Sequence, residues 1–267
     1  MKGTILEKII DAKRARVESA KAETNSLFAR AKTTRSNPEP HRFRKALQRH
    51  DQINIIAEIK RASPSKGIIN DQIDVANMAR SYASGGAAAI SVLTEEDFFK
   101  GSIDDLKATR EAVSLPILRK DFIIDEFQIY EAAEAGAEAI LLIAAALGDD
   151  DLKNFINIAE GELGLDVLLE VHNLDELERA KQLEAAIIGV NNRNLHSFEV
   201  SLNVSRELAL NKLANSLFVS ESGLSSADEI LELRGLGFDA FLIGETLMRS
   251  SGAADALKNL TATEQVR

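Results

Sequence analysis

The chain has 267 residues, 45% hydrophobic and 28% charged, the balance of a globular protein with enough apolar mass for a large core. It contains no cysteine, which excludes disulfides, thiolate chemistry, iron–sulfur clusters and cysteine zinc sites. A net charge of −10 argues against a nucleic-acid surface held by phosphate neutralisation, yet leaves room for a local small-anion site.

Residues 1–50 read as a helical extension ahead of the first β-rich run. Ile5, Leu6, Ile9 and Ile10 form an apolar stripe at helical spacing, so the segment is expected to pack on the rest of the chain. Pro38 and Pro40 mark a break before a second helical stretch, HRFRKALQRH. The opening is charged throughout, unlike a signal-peptide core, and no apolar run reaches the roughly 18–20 residues of a membrane helix. A cytoplasmic protein with no membrane partner is expected.

Over residues 51–267, eight short β-rich runs begin near Ile53, Ala89, Leu115, Ala139, Asp166, Ile187, Leu217 and Ala240. Each gap holds one helical pattern, such as DELERAKQL or SSADEILELRGLG, which is the rhythm of repeated βα units. The runs are apolar on both parities, as parallel strands covered on both faces are. Gly86, Gly136 and Gly237 each end a helical pattern and stand at the same interval before an alanine and an apolar residue that open a run. Their separations approximate two and four equal units, which suits a closed ring. The predicted fold is an α/β (β/α)8 TIM barrel with an N-terminal helical extension, one domain in all; an open doubly wound sheet is the alternative.

The active site of such a barrel lies at the C-terminal ends of its strands, so the polar residues closing each run are the candidates. The first run ends Glu58-Ile59-Lys60, with both charges on one face about 6.6 Å apart. The third run ends in Lys120, the fifth in Glu170 and the sixth in Asn191-Asn192-Arg193. Lysines at a mouth lined with carboxylates are candidate proton donors, and Lys60 and Lys120 are expected to lower each other's pKa. The seventh and eighth runs pass into Ser220-Glu221-Ser222-Gly223 and Gly244-Glu245, followed by helical patterns. Backbone N–H groups there would suit a phosphate. A side chain added at Gly244 is expected to block that anion without touching Lys60, Lys120 or Glu170.

These residues fall in a set of linked motifs: Ile56–Gly67 (IAEIKRASPSKG), Leu118–Phe122 (LRKDF), Leu169–His172 (LEVH), Gly189–Leu195 (GVNNRNL) and Ser220–Gly223 (SESG). Together, and in this order, they resemble the indole-3-glycerol phosphate synthase family of tryptophan biosynthesis along the whole chain. The resemblance implies closure of 1-(2-carboxyphenylamino)-1-deoxyribulose 5-phosphate to indole-3-glycerol phosphate with loss of carbon dioxide and water, without a cofactor; a monomer without a metal is expected. By the same resemblance Lys120 is the acid for ring closure, Glu170 the base for dehydration and Lys60 a second acid that also meets the substrate carboxylate. Glu58 and Asn191 orient these groups. Ser63 and Arg193 face the anthranilate, while Phe99, Phe122 and Leu195 pack on its ring. Ser222, Gly223, Gly244 and Glu245 cradle the phosphate; some family members have serine where Glu245 stands, so its carboxylate is expected to turn away from the anion.

The remaining polar residues read as structural. His172 reads as a packing or hydrogen-bonding residue, and His41, His50 and His196 form no HExxH-type cluster. Glu95-Glu96-Asp97 and Asp149-Asp150-Asp151 read as solvated loop and helix-start charges. Two other functions remain open: a Schiff-base aldolase using Lys60 or Lys120 as nucleophile, and a non-catalytic barrel.

Overall fold

The computed structural model describes residues 4–21, 24–36, 39–195 and 197–262, so that Pro38 and His196 lie outside the described residues. Its strands are β1 (Asn54–Ile59), β2 (Ala62–Ser63), β3 (Gly67–Ile68), β4 (Ala89–Leu93), β5 (Ile117–Lys120), β6 (Ala139–Ile143), β7 (Asp166–Val171), β8 (Ile187–Asn191), β9 (Leu217–Glu221) and β10 (Ala240–Ile243). Eight of them close into a barrel in the order β1-β10-β9-β8-β7-β6-β5-β4, every pair parallel. The closed ring of the sequence reading is therefore correct. β2 and β3 form a small antiparallel hairpin on the loop leaving β1. The third run starts at Ile117 rather than Leu115, because Pro116 has no N–H to give to a ladder.

Strand parity divides the core in two. Ile56, Leu118, Leu141, Leu168, Val219 and Leu242 fill the barrel interior, whereas Ile55, Ile90, Ile117, Ile140, Leu169, Ile188, Phe218 and Phe241 face the outer helices. Those helices are α4 (Val75–Ser84), α5 (Ile103–Ala112), α6 (Glu126–Glu134), α7 (Asp149–Ile156), α8 (Leu174–Gln182), α9 (Asn203–Ala209), α10 (Ala227–Gly235), α11 (Glu245–Met248) and α12 (Ala253–Thr261). Side-chain caps from Asp74, Ser102, Asp125, Asn173 and Ser226 start five of them, each cap worth about 1 kcal/mol. The repeated glycines Gly86, Gly136 and Gly237 have φ of 88°, 90° and 103°, a conformation that other residues adopt only at a cost.

Three helices precede the ring: α1 (Ile5–Ala20), α2 (Thr24–Thr34) and α3 (Arg42–Leu47). They go to different places. α3 closes the N-terminal end of the barrel, where Phe43 and Leu47, fully buried, join the interior cluster. Asp166, the first residue of β7, fixes it by accepting the Arg44 backbone N–H at 2.8 Å and lying 2.9 Å from His41 Nδ1. α2 lies along the outside against α6, with the Phe28 and Tyr130 rings 4.2 Å apart. α1 crosses the opposite end. Its buried Lys13 pairs with Asp121 at 2.8 Å, Arg16 pairs with Glu96 and Asp97, and Lys21 reaches Asp125 at 2.6 Å.

The acidic run after β4 thus corrects the sequence reading. Glu95 is not solvated: it is buried and accepts the backbone N–H groups of Asp97, Phe98 and Phe99, while its two neighbours hold α1. No helix among the described residues is long and apolar enough to cross a membrane.

Candidate active site

The C-terminal ends of the strands open into a cleft of about 870 Å³, roofed in part by Ile5, Leu6 and Ile9 of α1. Every residue expected at the site lines it: Glu58, Lys60, Ser63, Phe99, Lys120, Phe122, Glu170, Asn191, Arg193, Leu195, Ser222, Gly223, Gly244 and Glu245. Alternation gathers the central group, since Glu58, Lys120, Glu170 and Asn191 each share parity with an interior residue lower on the same strand, Ile56, Leu118, Leu168 and Ile187.

Two lysine–carboxylate pairs stand side by side. Lys60 Nζ is 2.5 Å from Glu58 Oε1, and Lys120 Nζ is 3.4 Å from Glu170 Oε2. A third carboxylate, absent from the sequence-based site, lies 3.6 Å from Lys120: Glu221 at the end of β9. Both of its oxygens are buried and, among the described residues, without a hydrogen-bond partner. The signal for it was present. Glu221 shares the parity of Val219 and closes its run as Glu170 closes another, but the Ser222-Gly223 turn beside it carries the stronger local pattern.

Electrostatics sets the protonation of this group. Burial opposes the charge on Lys120, but Glu170, Glu221 and Glu58 outweigh it and hold the ammonium well above the ordinary lysine range. The expectation that the two lysines depress each other therefore fails for Lys120, because carboxylates stand closer to it than any cation does. Burial likewise opposes ionisation of Glu58 and Glu170. Lys60 and Lys120 keep Glu58 below the usual carboxylate range, and Lys120 and His172 do so for Glu170. Glu221 differs: burial, reinforced by Glu170 and Glu58, overcomes Lys120 and pushes it up to about 8.

Two interior glycines make room for these acids. A Cβ on Gly189 would overlap Glu221 Oε1, and one on Gly244 would overlap Glu58 Oε1. A side chain at Gly244 would thus meet neither Lys60, Lys120 nor Glu170 first but Glu58, the partner of Lys60, so the position is coupled to the acid–base group through that carboxylate.

The two flanks of the cleft differ in character. On one, the rings of Phe99 and Phe122 stand 6.0 Å apart, and Arg193 Nη1 donates to Phe198 O and Ser65 Oγ, both at 3.3 Å, joining the loops after β8 and β1. On the other, Ser222 and Gly223 both have left-handed backbone, φ 65° and 85°. Asn192 secures that turn, its amide donating to Ser220 Oγ, Glu221 O and Ser222 O within 3.1 Å. The Glu245 carboxylate pairs with Arg249 at 3.1 Å and Lys66 at 3.7 Å. His172 is a hydrogen-bonding residue, one of the two readings its place at a strand end allowed. Its ring lies between Glu170 and Glu176 at 3.2 and 3.0 Å. Among the described residues, no group of three or more His, Asp or Glu is arranged to hold a metal ion.

Solved structures share the architecture at low sequence identity. A thiamine phosphate pyrophosphorylase from Pyrococcus furiosus superposes with a TM-score of 0.59 at 16% identity, covering 78% of this chain and 93% of that one. The N-acetylmannosamine-6-phosphate 2-epimerase from Clostridium perfringens gives 0.56 at 17% identity, covering 72% and 86%. Sequence relatives are nearer. An indole-3-glycerol phosphate synthase from Carboxydothermus hydrogenoformans is 47% identical over 263 residues, 96% of this chain and 99% of that protein. One from Neisseria meningitidis is 47% identical over 249 residues, 92% and 95%. The family model for indole-3-glycerol phosphate synthase matches residues 6–260, and the chain belongs to that family.

Proposed function

We propose that this cleft performs the family's reaction with Lys120, Glu170 and Lys60 as its proton-transfer groups. The observation that carries the assignment is the convergence of two lysine–carboxylate pairs and the further acid Glu221 on one mouth, between an aromatic flank and a glycine-bearing turn. The substrate, 1-(2-carboxyphenylamino)-1-deoxyribulose 5-phosphate, would lay its anthranilate between Phe99, Phe122 and Leu195, with Ser63 and Arg193 beside that end. Its phosphate would meet the backbone of Ser222, Gly223, Gly244 and Glu245.

The chemistry follows from that placement. As the ring carbon attacks the ketone, an alkoxide forms that is far more basic than an amine, so an ammonium held protonated serves as its acid. Lys120 donates there, and carbon dioxide then leaves without the electron pair of the bond it shared with the ring, so that the pair stays behind and restores the ring's aromaticity. The hydroxyl then departs as water, taking a proton from Lys60, while Glu170 accepts the proton lost from the adjacent carbon. Glu58 holds Lys60, and Asn191 orients Glu170. The residues named bind, orient and transfer protons without calling on a cofactor.

One barrel supplies every group required, so the chain is proposed to act as a monomer, in the cytoplasm, on a free small molecule. The test is appearance of indole absorbance or fluorescence when purified protein meets the substrate. A folded protein that gives no signal overturns the assignment. Borohydride trapping of a keto-sugar phosphate on Lys60 or Lys120 would support the aldolase instead; the carboxylates that keep Lys120 protonated disfavour it as a nucleophile.

A further inference from the structure

An acid and a base 3.4 Å apart create a difficulty. Lys120 must give its proton to the substrate, and Glu170 must stay free to take a different one. While Lys120 is charged the two groups keep each other ionised, but once it has donated, Glu170 loses its nearest cation, and a buried carboxylate without one tends to take up a proton. Water would oppose this by solvating the charge, but the Lys120 and Glu170 side chains are only 15% and 2% exposed. Another group has to keep Glu170 ionised once Lys120 has donated.

His172 is placed to do so. It leaves β7 two residues after Glu170, on the same face. Among the described residues its Nε2 has no hydrogen-bond partner; Glu170 Oε1 lies 3.2 Å away at ion-pair distance, and Lys120 stands toward the other carboxylate oxygen, Oε2. On the other side of the ring, Nδ1 is 3.0 Å from Glu176 Oε2. That oxygen also accepts the His172 backbone N–H at 2.8 Å, and Glu176 Oε1 accepts the Asn173 amide at 2.7 Å, so Glu176 is itself fixed. A ring set between two carboxylates satisfies both only when each nitrogen carries a proton. Burial opposes the charge, but Glu170 and Glu176 push His172 up to about 10.

Other charged groups bear on the ring from further off. Lys120 and Glu221 stand beyond Glu170, while Arg193 and Glu199 share with His172 and Glu176 the wall of a side cavity of about 600 Å³.

We propose that His172, clamped by Glu176, is the positioning residue for Glu170: its imidazolium holds Oε1, leaves Oε2 toward the cleft and remains as the counter-charge after Lys120 has donated. This role rests on the reaction proposed above. It also explains why a histidine, and not an amide, follows the base by two residues.

The test compares His172→Gln, which keeps a donor and loses the charge, with Glu176→Gln, which keeps the ring and removes its partner. For His172→Gln, kcat is expected to fall about 10- to 100-fold with KM nearly unchanged. The acid limb of its pH profile should move upward, because Glu170 has lost a cation that held it ionised. Glu176→Gln should approach wild-type rate near pH 6 and fall progressively as pH rises and the ring loses its proton. In His172→Ala, imidazole added to the buffer should restore part of the rate by way of the side cavity, best below about pH 7, where it is charged. Nitrogen NMR of the wild-type histidines gives a readout independent of turnover: His172 should remain doubly protonated at pH 8.

A pH-independent loss in both variants, a kcat within twofold of wild type, or a singly protonated ring at pH 8 would each overturn the role. Lack of product from the wild-type protein would overturn the reaction, and the role with it; the other outcomes strike the role alone.

Discussion

Glu58 occupies the space that a side chain on Gly244 would need. The eighth strand of the ring thus yields its interior position to an acid from the first, and that acid holds Lys60. Gly244→Ala is expected to displace Glu58, lowering kcat by at least about 10²-fold. It should also weaken binding of product with and without its phosphate, because the disturbance reaches both ends of the ligand. Paired titrations measure this. Loss of affinity confined to the phosphorylated form would show that Glu58 had simply moved aside.

Lys120→Ala should lower kcat by about 10²–10⁴-fold while substrate still binds, since a proton donor acts mainly in the transition state. Glu170→Gln keeps the shape and removes the basicity, so ring closure should proceed and dehydration should stall. Single-turnover kinetics would then reveal an accumulating intermediate. Unchanged kinetics in either variant removes that residue from its role.

The raised pKa of Glu221 gives a stability signature separate from catalysis. Unfolded, it titrates near the ordinary glutamate value of about 4.3; folded, it does so at about 8. The folded state therefore holds an extra proton between those values. Its favourable contribution is complete below the lower one and is lost as pH rises through the upper. Glu221→Gln has no proton to lose, so its Tm relative to wild type should climb between about pH 5 and pH 9 and then level off. A difference that does not vary with pH would contradict the assigned environment.

The two ends of the N-terminal extension should fail differently. Phe43→Ala empties a position in the sealed end of the barrel and should cost about 3–5 kcal/mol of stability, with KM and kcat nearly unchanged. Deleting residues 1–20 instead removes Ile5, Leu6 and Ile9 from the cleft and leaves Asp121 without Lys13. Substrate affinity and kcat should both fall. Chemical denaturation and steady-state kinetics on the two proteins separate the cases, and removal of all of 1–50 would confound them by taking the Phe43–Leu47 plug as well.

The ring and most of the cleft were legible because both rest on alternation. An apolar run that starts at Asp166 and carries Glu170 at its end states by its alternation which residues face inward. What local pattern could not convey was distance in space. The Glu58–Lys60 pair, on one face of one strand, was legible, but Lys120 was read as a neighbour of Lys60 when carboxylates from two other strands reach it. Glu95 looked like a loop charge because its partners are backbone N–H groups, which leave no mark in a sequence. Phe43 and Leu47 were seen as part of a helical stretch, but only the closed barrel shows that they stopper it.

The placement of α3 bears on how the chain is made. His41 and Arg44 wait for Asp166, and Arg35 for Leu163 and Gly164, partners more than 120 residues later. At about 5–20 residues per second of synthesis, that interval is roughly 6–25 s. Throughout it, Phe43 and Leu47 have no barrel to enter, so a segment made before any strand of the ring is among the last to find its native neighbours. A chaperone that shields short apolar helices would have most to do here, and a ribosome stalled before residue 166 would present this segment still undocked.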